Sequence, residues 1–147
     1  LESLIPFNFG IPGIKLGLSN LVVLTALYTM KTSDTFIISI VRIILAGLLF
    51  NGTFAMIYSL VGGLLSFAIM YIIKKTDKFS PIGVSAVGGT VHNLGQIIVA
   101  GFVMNTYRIV YYFPILMFSG LITGIINGII ASIIINRLSK IGEIKCR

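Results

Sequence analysis

The sequence predicts an all-α protein, a polytopic helical bundle embedded in a membrane. Three observations point there. Of 147 residues, 56% are hydrophobic and only 10% are charged, where a soluble domain carries roughly 25% charged residues. The mean hydropathy is +1.05. Apolar runs long enough to cross a bilayer recur along the chain, and they are continuous rather than alternating, which speaks against a β-barrel. Inside lipid every backbone N–H and C=O must bond internally, so such runs become helices.

The elements follow in order within one integral membrane domain, residues 1–147. Residues 1–16 stand apart. "LIPFNFGIPGIKLG" carries two prolines and three glycines, which exclude a straight helix. Its apolar character predicts an outer loop lying on protein or at the interface. Spans are expected at about residues 17–30, 35–50, 53–73, 81–104 and 112–136, the first of them short for a full crossing. Short linkers separate them: "KTSD", "NG", "KKTDKFSP" and "NTYR". Asp34 suits a helix N-cap and Pro81 a first helical turn.

Charge gives orientation. Lys31, Lys74, Lys75, Lys78, Arg137, Lys140, Lys145 and Arg147 fall on one set of span ends, while the opposite ends carry only Lys15 and Arg108. The positive-inside rule makes the first set cytoplasmic. The expectation is a multi-pass cell-membrane protein with a cytoplasmic C-terminus and Leu1 outside. The net charge of +7 is used up in this way, so nucleic acid is not an expected partner. Tyr107, Tyr111 and Tyr112 at the outer edge read as an interfacial aromatic belt.

Several function classes drop out. One cysteine and one histidine allow neither an internal disulfide nor a zinc site. There is no phosphate-cradling G-x-x-x-x-G-K-[ST] loop. The four acidic residues, Glu2, Asp34, Asp77 and Glu143, lie at ends or in loops and supply neither a paired carboxylate nor a magnesium cluster. The chain is therefore not expected to be an enzyme, and no metal or cofactor is expected.

The polar residues inside spans carry the functional reading. In "GGTVHNLGQIIVAG", Ser85, Gly89, His92, Gln96 and Ala100 fall along one side of a helix, with Asn93 beside them. Intramembrane polar groups face the protein interior. Interhelical hydrogen bonding accounts for one such residue at about 0.6 kcal/mol per contact. Three within five positions favour a stripe lining a cavity. Arg42, within "SIVRIILAG", sits mid-span with no acidic partner in any span. Two readings stand for it, capping of carbonyls and binding of a ligand carboxylate or phosphate by the guanidinium fork. In the last span Gly120, Gly124, Gly128 and Ser132 form a small-residue seam for close helix packing. Ser119, Thr123 and Asn127 run beside it, and Asn127 is read either as reaching the His92 cavity or as a structural hydrogen bonder. Lys15 is either an entrance residue above the cavity or a solvated turn residue, and Asn20 opens the next helix. Together Lys15, Arg42 and His92 make the outer half of the bundle cationic inside, which favours an anionic or strongly polar ligand. This reading expects imidazole and guanidinium to share one outward-opening chamber.

Four blocks in order, "PGIKLGLSN", "RIILAGLLFNG", "YSLVGGLLSF" and "GVSAVGGTVHNLGQ", resemble the Gx transporter family, also described as heptaprenyl diphosphate synthase component I. That family looks like the substrate-binding subunits, or S-components, of energy-coupling-factor (ECF) transporters. The resemblance implies a compact six-helix bundle whose first helix precedes "LESLIP" and is missing from this chain. It also implies a small-molecule ligand bound near the outer face, under the loop around Lys15. Flavin-, quinone- and isoprenoid-related ligands suit it. Energy would come from a coupling subunit and two cytoplasmic ATPases. A second implied role is a non-catalytic membrane component working beside a prenyl diphosphate synthase catalytic component. Prenyl diphosphate synthases need aspartate-rich magnesium motifs, which this chain lacks. On the ligand reading the contacts are Lys15, Asn20, Arg42, His92, Asn93, Gln96 and Asn127.

Overall fold

The computed structural model describes residues 18–104, 111 and 113–140. Its five helices are α1 (Leu18–Thr29), α2 (Thr32–Ala46), α3 (Gly52–Lys75), α4 (Pro81–Met104) and α5 (Phe113–Lys140). A π-helical turn, Gly47–Asn51, continues α2 to the start of α3. Four helices are long and apolar enough to cross a membrane, so the chain is a multi-pass membrane protein. The 12-residue α1 rises only about 18 Å, short of a hydrocarbon core of roughly 30 Å.

The termini of the helices have local causes. Gly52 has φ +75°, a left-handed value that costs a side-chain-bearing residue 1–2 kcal/mol or so. It ends the π turn and lets α3 reverse direction without a linker. Ser80 starts α4, with its hydroxyl accepting the Gly83 N–H at 3.3 Å, and Pro81 follows in the first turn. Asp34 does not cap α2. The N-cap is Lys31, and Asp34 lies inside the first turn, where a carboxylate favours the helix dipole. Helices α3 and α5 both run past their apolar stretches. Lys74 and Lys75 occupy the last turn of one, Arg137 and Lys140 that of the other, where cations suit the dipole.

The order of packing is α3–α4–α5, with α4 in the middle. Its two sides carry different small residues. Toward α5, Cβ atoms added at Gly120, Gly124 or Gly128 would strike Gly89, Ser85–Ala86 and Ile82 respectively. This is an antiparallel seam in which only glycine allows the backbones to approach so closely. Toward α3, Gly95 lies against Gly62, and the Ser66 hydroxyl donates to the Gly88 carbonyl at 2.7 Å. Helix α2 packs more lightly, through Thr35, Ser39 and Ile43, which are buried. Ile43 fills the gap at Gly63, and the Phe36 and Phe67 rings meet at 5.4 Å.

The apolar core gathers near the lysine-rich end. Val23, Leu24 and Leu27 of α1 meet Phe67 and Met70 of α3, Val84 of α4, and Ala131 and Ile135 of α5. Lys74 closes this end. Its ammonium donates to the Leu27 carbonyl at 2.6 Å and lies 5.0 Å from the centre of the Tyr28 ring. One side chain thus satisfies a carbonyl that the end of α1 leaves open and adds a cation–π contact.

Candidate functional site

Polar residues are spread along the bundle, with Arg42 and His92 near mid-span. Arg42 lies about 15 Å from the start of α2 at 1.5 Å per residue, close to the middle of a bilayer core. Its neighbour Ile43 abuts Gly63, and on the next residue of α3, Gly62 abuts His92 and Gln96 of α4. Contacts therefore link α2, α3 and α4 at one level.

His92 is held by its own helix. Gln96 Nε2 stands 3.2 Å from the imidazole Nε2. An amide N–H donating to that nitrogen assigns the imidazole proton to Nδ1. Nδ1 is buried against the Gly62 backbone of α3, which it meets.

The other expected site residues sit elsewhere. Asn93 donates from its side-chain amide to the Leu116 carbonyl of α5 at 2.7 Å. It is a fastener between two helices. Asn127 is 2% exposed. Its neighbour Gly128 meets Ile82 and Ser85, so Asn127 is level with the first turns of α4, roughly 10 Å along the bundle from His92. The two do not meet at one site. Thr123 turns back to its own helix, its hydroxyl donating to the Ser119 carbonyl at 2.8 Å. Ser132 is half-buried, and Asn20 is half-buried in the first turn of α1. Lys15 falls outside the described residues.

The stripe expected on one face of α4 thus divides between two neighbours. Ser85, Gly89 and Asn93 face α5, while His92 and Gln96 face α3. The glycines beside it do not open space. They let α3 and α5 close onto α4, so His92 is packed at a helix contact. The shared chamber is accordingly not what the described residues form. A groove of about 440 Å³ instead runs along α2 from Ile37 to Leu49; among the described residues its lining is almost wholly apolar, Arg42 contributing its aliphatic stem. His92 lies behind that groove, across α3.

Sequence reasoning missed three features. The α2 groove comes from two parallel rows of a helix with little covering it, which no motif announces. Ser66 and Lys74 make interhelical bonds to carbonyls; a serine and a terminal lysine carry no signal of such partners. Among the described residues no cluster of three potential metal ligands occurs.

Nothing among curated proteins or solved structures matches the chain. A family model described as heptaprenyl diphosphate synthase component I does match, over residues 1–134. The chain belongs to the heptaprenyl diphosphate synthase component I family.

Proposed function

We propose that the chain is a non-catalytic membrane subunit that captures a small anionic or amphipathic molecule, flavin-, quinone- or isoprenoid-related. The observation that carries this reading is a mid-span arginine, with His92 and Gln96 near the same depth of the bundle where α3 meets α4. On this reading Arg42 supplies charge and paired donors to the anionic part, and His92 and Gln96 supply polar contacts. Lys15 would guard the entrance from the outer side. On the positive-inside rule the lysine-rich end and the C-terminus are cytoplasmic. With no nucleotide-binding loop in the sequence, work against a gradient would draw on a coupling subunit and two ATPases of the ECF type.

The test is native mass spectrometry of the protein purified from membranes with its bound small molecules. The reading expects an anionic amphipath in wild type, depleted at least tenfold in Arg42→Met and in His92→Ala. Equal occupancy in all three proteins removes these residues from the site.

A second reading takes its support from the family description. The chain would then be the membrane component that accompanies a prenyl diphosphate synthase catalytic subunit. Co-purification with that synthase, and a change in product chain length when the membrane chain is deleted, would favour this role.

A further inference from the structure

Packing gathers the charges of this chain at one end. Among the described residues every charged side chain except Arg42 belongs to the lysine-rich end, where only Asp34 and Asp77 oppose the cations. Topology asks for cations there, but it does not say what they meet. Lys74 is turned inward, held by the Leu27 carbonyl and the Tyr28 ring. Lys31, Lys75 and Lys78 are exposed, and their ammonium groups pair with no carboxylate among the described residues.

We propose that this end holds an anionic phospholipid of the cytoplasmic leaflet, its phosphate among Lys31, Lys75 and Lys78 and an acyl chain along the exposed side of α3. Helical spacing places the chain. Leu65, Ala68, Ile72 and Lys75 follow one another at spacings that keep them on one side of α3, and all are exposed. Other sides of α3 carry Gly62 and Ser66 against α4 and Phe67 against α2. The exposed row therefore faces lipid, and Lys75 ends it about 15 Å from Leu65. Lys78 and Phe79 follow in the loop, with Phe79 54% exposed. Cations and apolar side chains meet at one edge, where hydrocarbon gives way to headgroups.

Charge complementarity and depth choose the occupant. A soluble polyanion or an acidic protein reaches the cations but leaves the apolar row beneath them uncovered. A zwitterionic lipid covers the row, but its choline offsets its phosphate. An anionic phospholipid matches both, because lysines near the surface attract anionic headgroups. That attraction falls off within a Debye length, about 8 Å at physiological ionic strength. It therefore selects lipids touching this corner rather than those further round the bundle. The site is separate from the ligand reading at Arg42, and neither depends on the other.

The chain has no tryptophan, so a single introduced one reports on the lipid beside it. Phe79→Trp marks the lysine-rich corner. Phe102→Trp marks the far end of α4, a position 84% exposed and about 30 Å away. Each protein is reconstituted in vesicles of phosphatidylcholine and phosphatidylglycerol, with one of the two lipids carrying dibrominated chains. Quenching of the tryptophan gives the relative affinity of the two lipids at that position. Both leaflets share one composition, so a change of insertion direction does not alter the reading. Phosphatidylglycerol is expected to be preferred about threefold or more at position 79, with no preference at position 102. In the Phe79→Trp protein the preference should vanish when Lys75→Gln and Lys78→Gln are combined. It should persist with Lys75→Arg and Lys78→Arg, and shrink as salt is raised. Circular dichroism checks that each variant is folded. No preference at position 79, equal preference at both ends, or a preference untouched by the glutamine pair overturns the proposal and leaves this end to solvent or to an acidic protein.

Discussion

Replacing Gly124 with alanine tests the helix seam on which the whole arrangement hangs. The added Cβ would lie 2.6 Å from the Ser85 carbonyl oxygen and 2.8 Å from the Ala86 Cα. Both are backbone atoms of α4, so no side-chain rotation relieves the clash. The helices must part by most of an ångström, and a gap of that size forfeits a quarter to a half of each dispersion contact along the seam. Overpacking of this kind costs about 1–3 kcal/mol. Alanine's better helix propensity returns about 1 kcal/mol, so the net loss is about 0–2 kcal/mol, and about 1–3 kcal/mol relative to an alanine that gains the same propensity without a clash. The upper net figure is about a 30-fold drop in the folded ratio. Gly101 provides the control, because a Cβ there meets nothing within 4 Å, and Gly101→Ala should be neutral or stabilising. The assay is reversible unfolding in mixed micelles with increasing SDS, followed by circular dichroism. Gly124→Ala as stable as Gly101→Ala would refute the close α4–α5 approach, and with it the register that separates Asn127 from His92.

Other outcomes follow from the same contacts. Lys74→Met removes the bond to the Leu27 carbonyl and the contact with Tyr28; a loss of about 1–2 kcal/mol is expected in the same unfolding assay. Ser66→Ala and Asn93→Ala each delete one interhelical bond and should cost only about 0.6 kcal/mol apiece, while Asn93→Ala leaves ligand occupancy unchanged. Ser80→Ala removes the α4 cap, at about 1 kcal/mol. Single cysteines at Lys78 and Tyr111, in a Cys146→Ser background, should react with an impermeant maleimide on opposite sides of the membrane, Lys78 on the cytoplasmic side. Labelling of both from one side contradicts the proposed orientation.

The helices were readable because each apolar run has to satisfy its own backbone in lipid. Their ends were less so: α5 continues through Arg137 to Lys140 because a cation in the last turn favours the dipole, which hydropathy does not register. The π turn at Gly47–Asn51 has no sequence marker apart from the glycine that follows it. In the candidate site, helical period groups Ser85, Gly89, His92 and Gln96 along one side of α4, but it does not say that α3 and α5 divide that side between them. The depth of Asn127 relative to His92 depends on the α4–α5 register, which spacing within one helix cannot supply. Glycines illustrate the limit most clearly. Beside polar residues they can open a cavity or admit a neighbouring helix, and only the partner at Gly62, Gly95 or Gly120 decides between the two.

The central claim, that the chain captures an anionic or amphipathic small molecule with Arg42 among its contacts, is tested most directly by native mass spectrometry of wild type and Arg42→Met purified from membranes. The account predicts a bound anionic amphipath in wild type, depleted at least tenfold in the variant. Equal occupancy in both proteins, or none in wild type, would contradict it.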